Sequence, residues 1–179
     1  MSDKIKRVFK LILAWQEEKE EKWLREMAQK GWLLKSYFLG LYTFEKAEPA
    51  DYIYKFDYIG GRNIDKEEYL SIFRDAGWEH VTEFAGWQYF RVKADNCRYP
   101  DIYSDNISRI EKYRSLLRIL YIGFFINLLN ILNLFFNMET FNSGRFVKST
   151  RIFVLLILII LFYAIYRIRK VKKKLEDEL

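Results

Sequence analysis

The eighteen residues from Ile119 to Phe136, ILYIGFFINLLNILNLFF, contain no charged side chain. An α-helix rises about 1.5 Å per residue, so this stretch would form a helix about 27 Å long. The hydrocarbon core of a bilayer is roughly 30 Å thick, which is close to that length. The sequence therefore predicts a first transmembrane helix at residues 119–136.

Residues 152–166 form a second apolar stretch, IFVLLILIILFYAIY, between Arg151 and Arg167. Fifteen residues are few for a span, but the flanking arginines can extend their charged groups towards the headgroups. Tyr163 and Tyr166 suit the membrane interface. We interpret this stretch as a second transmembrane helix. The alternative is a buried helical hairpin in a soluble core, which two such stretches with basic flanks make less favourable.

The positive charge of the chain is concentrated around these two stretches. Residues 1–100 hold 17 Lys and Arg against 17 Asp and Glu, whereas residues 101–179 hold 13 against 7 and account for the net charge of +6. Nucleic-acid binding would need basic residues gathered on the folded domain, so no direct nucleic-acid partner is expected. The single cysteine, Cys97, excludes an intramolecular disulfide and fits a reducing compartment.

The basic residues also predict an orientation, because Lys and Arg are enriched in the cytoplasmic flanks of transmembrane helices. We expect a multi-pass protein of the cell membrane with both termini in the cytoplasm, an external loop at 137–151 and a basic tail at 167–179. The apolar run FKLILAW is too short for a signal peptide. The tail cations are candidates for contact with anionic lipid, although they could serve only as a stop-transfer flank. They are Arg167, Arg169, Lys170, Lys172, Lys173 and Lys174.

The N-terminal part contains an internal duplication, which appears when the sequence is shifted on itself by 46 positions. Seven of 24 ungapped positions are identical, where chance would supply one or two. Glu21, Leu24, Gly31, Trp32, Phe38, Gly40 and Phe44 fall on Glu67, Leu70, Gly77, Trp78, Phe84, Gly86 and Phe90. We predict a domain at residues 1–98 built from two repeats, 5–47 and 51–93.

The sequence of each repeat predicts a strand, a helix and two further strands. The apolar positions of the helices recur at helical spacing and form one face, namely Trp23, Leu24, Met27 and Ala28 in the first and Tyr69, Leu70, Phe73 and Ala76 in the second. The first strands alternate, with Phe9, Leu11, Leu13 and Trp15 or Tyr52, Tyr54, Phe56 and Tyr58 on one face. Asp65 is a candidate N-cap for the second helix. The predicted fold is an α+β domain, two βαββ units forming an antiparallel-rich sheet covered by two helices.

Residues 99–118 read as a linker and a juxtamembrane helix. Pro100 and the polar run DIYSDNIS end the domain, and Ser108 with Glu111 is typical of a helix start. The sequence does not decide whether residues 101–118 lie on the bilayer surface or extend the first transmembrane helix.

The segments WQEEKEEKWL, KGW, YTFEK and GWQYFR, within residues 5–95, resemble an uncharacterised bacterial membrane-protein family catalogued as domain of unknown function 2812. The resemblance implies C-terminal membrane spans, which many members have. It also implies a regulatory circuit, because genes of the family often neighbour regulators of the PadR type. No catalytic residues are established for the family, so the resemblance supplies none.

The residues give no indication of catalysis. His80 is the only histidine and is expected to be a packed, hydrogen-bonded side chain, because no nucleophile or second acid is suggested beside it. With one His and one Cys, no metal site of the usual nitrogen and sulfur type can form in a single chain, and no cofactor is expected. Glu17, Glu18, Glu20 and Glu21 alternate with lysines and are interpreted as a solvated face at the start of a helix. We expect a protein that is not an enzyme.

Besides the tail cations, two sets of residues are candidates for binding. Tyr52, Tyr54 and Tyr58 could form an exposed strip for a partner, although aromatic residues at this spacing are more often core. Within the first predicted span, amides lie within about 120° of one helix face, and buried amides in lipid need partners. This stripe consists of Gly123, Asn127, Asn130, Asn133 and Asn137.

The stripe predicts a contact with a second copy of the chain or with another membrane protein, and its alternative is packing against the second span. The function expected from these features is a membrane-anchored cytoplasmic interaction or sensing module, which could bind a cytoplasmic regulator protein. The alternative is an accessory subunit of a membrane transporter that docks through transmembrane helix 1.

Overall fold

The computed structural model describes residues 4–61, 63–96, 106–136 and 145–178. The chain divides into two compact units, Met1–Lys112 and Tyr113–Leu179. The first unit is an α+β domain and the second consists of helix, which confirms the predicted fold class. Cys97, Pro100, Asn137 and most of the predicted loop 137–151 lie outside the described residues.

The first repeat folds as strand, helix, strand, strand. Its elements are β1 (Ile5–Phe9), a short 3-10 turn (Ala14–Gln16), α1 (Glu17–Gln29), β2 (Trp32–Phe38) and β3 (Leu41–Lys46). Both neighbouring pairs are antiparallel, and the order in the sheet is β1-β3-β2. The prediction that the first strand continues to Trp15 is wrong, since β1 ends at Phe9 and the chain then runs into the 3-10 turn.

The second repeat has the same order of elements. They are β4 (Tyr52–Tyr58), α2 (Lys66–Asp75), β5 (Glu79–Phe84) and β6 (Trp87–Lys93), followed by a short 3-10 turn (Ala94–Asn96). Its sheet has the order β4-β6-β5, again antiparallel. The domain therefore has two three-stranded sheets, whereas the sequence predicted one. Each repeat closes its own sheet because the hairpin β2–β3 or β5–β6 pairs with the strand that begins the same repeat.

The two repeats agree in their irregularities as well as in their elements. The register of β2 shifts between Leu34 and Ser36, and that of β5 shifts between His80 and Thr82, which are equivalent positions. A glycine with positive φ also ends each helix. Gly31 has φ +76°, and a Cβ there would lie 2.7 Å from the carbonyl oxygen of Ala47, so only glycine fits.

The main core lies around α1, which packs against strands of both sheets, β2 and β4. Leu24 and Ala28 of α1 are fully buried, as the predicted helix face requires, and the core cluster includes Phe44 of one sheet and Phe56 of the other. Helix α2 packs on the second sheet through a smaller cluster around Phe90. The side chain of Asp65 accepts hydrogen bonds from the backbone N–H groups at the start of α2, which confirms the predicted N-cap.

The remaining helices are α3 (Asn106–Phe136) and α4 (Arg145–Asp177). Residues 106–118 are continuous with the first apolar stretch, so they extend that helix. Two segments, Arg109–Asn133 and Ser149–Asp177, are long and apolar enough to cross a membrane. Only 22% and 11% of their most apolar windows are buried. A core helix of a soluble protein would be mostly buried, and these two windows are not.

Candidate functional site

The four glutamates at the start of α1 are not a uniform solvated face. Glu18 is exposed, but Glu20 is only 8% exposed and belongs to the buried face of the helix. The interpretation of the whole run as solvent-facing is therefore wrong for Glu20, and also for Glu17 and Glu21, whose side chains are 12% and 20% exposed. The reason is helical spacing, because Glu20 lies one turn before Leu24 and two turns before Met27.

Glu20 joins the two sheets through tyrosine hydroxyls. Tyr42 Oη, from β3, donates a hydrogen bond of 2.6 Å to Glu20 Oε1. Tyr89 Oη, from β6, donates to the same oxygen over 3.3 Å. One carboxyl group on α1 therefore accepts from both repeats, and we call Glu20, Tyr42 and Tyr89 the carboxyl centre. Tyr37 packs beside it, with its ring centroid 4.7 Å from that of Tyr42 and 5.2 Å from that of Tyr89.

Burial controls the protonation of the carboxyl centre. Desolvation raises the pKa of Glu20 from 4.5 to about 7, and the nearby charges of Glu17 and Glu21 act in the same direction. The two tyrosine hydrogen bonds oppose this rise without cancelling it. Burial and the charge of Glu20 raise the pKa values of Tyr42 and Tyr89 far above the usual range, so both stay protonated donors. The centre can therefore bind and release one proton near neutral pH.

A second feature of α1 is a set of ion pairs with limited exposure to water. Lys112 Nζ lies 2.6 Å from Glu17 Oε2, and their side chains are only 4% and 12% exposed. Lys112 Nζ also donates to the carbonyl oxygen of Phe56 over 3.4 Å. Lys55 Nζ lies 2.8 Å from Glu21 Oε2, and burial raises the pKa of Glu21. The pair with Lys112 connects α1 to the first part of α3, within the first unit.

His80 lies in a separate polar network on the second sheet. Gln88, which is 2% exposed, donates from Nε2 to Glu83 Oε2 over 2.9 Å. Its Oε1 therefore faces His80 Nε2 at 2.8 Å, which requires that nitrogen to carry the proton. The prediction of a packed, hydrogen-bonded histidine is confirmed. Among the described residues, no group of three His, Cys, Asp or Glu side chains could hold a metal ion.

The predicted tyrosine strip is not a surface. Tyr54 and Tyr58 are 1% and 4% exposed, and Tyr52 is half-buried. Tyr54 Oη accepts a hydrogen bond from the backbone N–H of Leu34, on the other sheet. The prediction of an exposed strip is wrong because this face of β4 is part of the core that α1 covers.

Sequence reasoning missed a different apolar surface, at the turn of the first hairpin. Phe9 and Phe38 both pair with Leu41 in the register of the first sheet, so the three side chains form a row across all three strands. Leu39 lies in the turn itself. We call these four residues the hairpin patch, and they are 71% (Phe9), 61% (Phe38), 63% (Leu39) and 39% (Leu41) exposed. The alternation around Phe9 predicted that it shares one strand face with Leu11 and Leu13, but periodicity does not tell whether that face is covered.

The predicted stripe on α3 lies largely open. Asn130 and Asn133 are exposed, and a Cβ added at Gly123 would meet nothing within 4 Å. Asn127 Nδ2 donates to the carbonyl oxygen of Gly123 over 2.9 Å, within the same helix. Asn137 lies outside the described residues.

The predicted lipid-contact cations lie in the last turns of α4. Arg169, Lys170, Lys173 and Lys174 are exposed, and Arg167 is half-buried. Lys172 is paired with Glu176 over 2.7 Å.

Residues 16–125, which are more than half of the chain, match the family described as Protein of unknown function (DUF2812). This chain belongs to the DUF2812 family. No curated protein and no solved structure matches it. The matched part of this DUF2812 protein includes all three residues of the carboxyl centre and both strands of the first hairpin.

Proposed function

We propose that this DUF2812 protein is a membrane-anchored interaction module that binds a partner protein through the hairpin patch. In this proposal α3 and α4 hold the chain in the cell membrane, and both termini lie in the cytoplasm. The module is not an enzyme. The observation that carries the proposal is the exposure of Phe9, Phe38 and Leu39, three neighbouring side chains that are each more than 60% exposed.

Contiguous exposed apolar side chains mark interaction surfaces because each one costs free energy in water. Single exposed apolar residues are ordinary, but the hairpin patch is a row across a sheet that ends at a tight turn. Leu39 adds a second argument, since its φ is +44°, a conformation that leucine adopts only with strain. An asparagine or glycine would fit that turn better, so the apolar side chain is kept there at a cost in stability. In this proposal, contact with the partner is the reason why leucine occupies the turn.

The cytoplasmic side is supported by the basic residues that flank the two apolar stretches, since such residues favour the cytoplasm. A soluble regulator is then the expected partner, and the proposed role is in a regulatory circuit. The carboxyl centre fits a sensing role because it changes charge between the two sheets near neutral pH.

The test is a pull-down of the full chain from mild detergent, with two matched variants. Leu39→Asn removes the apolar side chain and places a residue that tolerates positive φ, so the fold should be at least as stable. Ala85→Asn makes the same change at the equivalent turn of the second repeat, where φ is +50° and the side chain is exposed. We expect Leu39→Asn to reduce partner recovery at least tenfold and Ala85→Asn to leave it unchanged. Equal recovery with both variants would refute binding through the hairpin patch.

A second candidate function is that of an accessory subunit docked on a transporter, and the open face of α3 favours it. An amide in lipid without a partner costs several kcal/mol, whereas an amide bonded across helices contributes roughly 0.6–2 kcal/mol. Asn130 and Asn133 are exposed in the single chain, so a helix from a second copy or from another membrane protein would satisfy them.

Cysteine crosslinking distinguishes whether a second copy of the chain or another membrane protein contacts this face of α3. In a Cys97→Ser background, Asn130→Cys is expected to form a disulfide-linked homodimer in oxidised membranes if the face meets its own copy. Leu132→Cys is the control, because two residues along a helix turn the side chain by about 200° at nearly the same depth. Crosslinking at Leu132 as efficient as at Asn130 would argue against a specific face. A crosslink from Asn130→Cys to a different protein would favour the transporter subunit.

A further inference from the structure

An open groove of about 1120 Å³ lies between helices α3 and α4. One part of its wall is apolar and aromatic, formed by Leu117 and Tyr121 of α3 and by Phe162 and Ile165 of α4. The volume exceeds the roughly 300–1,000 Å³ of most small-molecule sites, so the groove is suited to a larger, elongated ligand. All of its lining residues belong to the second unit.

The other part of the groove is strongly basic. Six cationic side chains line it against two acidic ones, with cations supplied by both helices. Arg118, Arg169, Lys170 and Lys173 are exposed, whereas Lys172 is already paired with Glu176. The cations lie just outside the two apolar stretches. Arg118 directly precedes the first residue of the first stretch, Ile119, and Arg169 follows the last residue of the second stretch, Tyr166, by three positions. The groove therefore passes from an apolar wall to a basic rim at one end of the helix pair.

The combination of an apolar wall and a basic rim matches a ligand that has an apolar part and an acidic part. A soluble anion would find the basic rim but would leave the apolar wall empty. A zwitterionic lipid would fill the wall but would bring no net charge to the rim. An anionic phospholipid matches both parts, because basic pockets between membrane helices bind acidic headgroups while the acyl chains follow the apolar surface. Tyr166 also lines the groove, and tyrosine is enriched at membrane interfaces.

We propose that this groove is a specific binding site for an anionic phospholipid, whose headgroup contacts Arg118 and Arg169 and whose acyl chains lie along Phe162 and Ile165. The site rests on the membrane insertion in the proposed function, but it does not depend on the hairpin patch. It also differs from a general attraction of the basic tail to the bilayer, since α3 contributes to it and Arg167 and Lys174 do not line it.

The test is native mass spectrometry of the detergent-purified full chain, with phosphatidylglycerol and phosphatidylcholine offered in equal amounts. The groove variant is Arg118→Gln/Arg169→Gln. The control, Arg167→Gln/Lys174→Gln, removes the same charge outside the groove. We expect the wild-type chain and the control to retain phosphatidylglycerol about tenfold more than phosphatidylcholine. The groove variant should lose that preference, since each cation near an acidic headgroup contributes a several-fold gain in binding.

Equal losses in both variants would show that only the total charge matters and would overturn the specific site. Wild-type retention without a preference for phosphatidylglycerol would overturn it too. Flotation of the wild-type chain with pure phosphatidylcholine vesicles separates this failure from the failure of the proposed function. A chain that floats but has no lipid preference lacks the site, whereas a chain that does not float lacks the membrane anchor itself.

Discussion

Glu20→Gln is expected to stabilise the α+β unit above pH 7 and to leave its stability almost unchanged below pH 4.5. The carboxyl group has a pKa of about 7 in the folded chain and 4.5 when it is exposed. Between those values the folded state binds more protons than the unfolded state, so stability falls as the pH rises. Above pH 7 the full cost of a buried carboxylate is present. From the difference between the two pKa values, that cost is about 3 kcal/mol.

Glutamine keeps an oxygen that can accept from Tyr42 and Tyr89 but has no charge to bury. The variant should therefore gain about 2–3 kcal/mol above pH 7 and lose the slope of stability with pH. The measurement is chemical unfolding of the full chain in detergent, followed by tryptophan fluorescence. All five tryptophans lie between Trp15 and Trp87, so the signal reports on the α+β unit.

The exposed neighbour Glu18 supplies the control, and Glu18→Gln should leave the pH dependence unchanged. Tyr42→Phe should act in the opposite sense to Glu20→Gln. It removes the shorter of the two hydrogen bonds to the carboxylate, so the pKa of Glu20 should rise further and the loss of stability near neutral pH should grow. A difference between Glu20→Gln and wild type that stays constant from pH 4.5 to pH 7 would contradict the titration of Glu20.

Lys112→Met is expected to lower the free energy of unfolding by about 3–5 kcal/mol, the usual result of removing one partner from a buried ion pair. The Lys112 ammonium lies 2.6 Å from Glu17 Oε2, and the two side chains are 4% and 12% exposed. Without the ammonium, the Glu17 carboxylate is left in a site where water solvates it poorly. The carbonyl oxygen of Phe56 also loses a donor.

A double-mutant cycle measures the interaction directly. Glu17→Leu combined with Lys112→Met replaces both charges by apolar groups and should recover most of the loss, because such replacements of buried pairs are often neutral or stabilising. Arg109→Met is the control, one turn earlier on α3, and should cost less than 1 kcal/mol as a half-buried surface change. Additive effects of the two single substitutions would mean that Glu17 and Lys112 do not interact.

The local features of the fold could be predicted from the sequence. The apolar face of α1, the alternation of Tyr54 and Phe56 in β4 and the cap at Asp65 all depend on neighbours a few residues away. The existence of two sheets could not be predicted, because it depends on whether β3 and β6 each pair with the first strand of their own repeat, β1 or β4. The same limit explains why the exposure of Phe9 was missed. Its alternating pattern indicated which strand face it lies on, but not whether another element covers that face.

The sequence did contain a signal for the carboxyl centre. In the run EEKEEK, Glu17 and Glu20 both fall on the stripe that continues with Leu24, Met27 and Ala28, and both are poorly exposed, whereas Glu18 points away from it. The partners of Glu20 could not be predicted, since Tyr42 and Tyr89 are 22 and 69 residues away and lie in different sheets. The amide stripe on α3 could be recognised from the sequence because it is a property of a single helix.

The carboxyl centre does not follow the symmetry of the two repeats. At the positions equivalent to Glu20, Tyr42 and Tyr89, the other repeat has Lys66, Gln88 and Thr43. The first repeat alone offers Glu20 only one of its two tyrosine donors, and a desolvated acid with one donor costs more to fold. The proton-binding group is therefore a property of the two halves together, and neither half holds it alone.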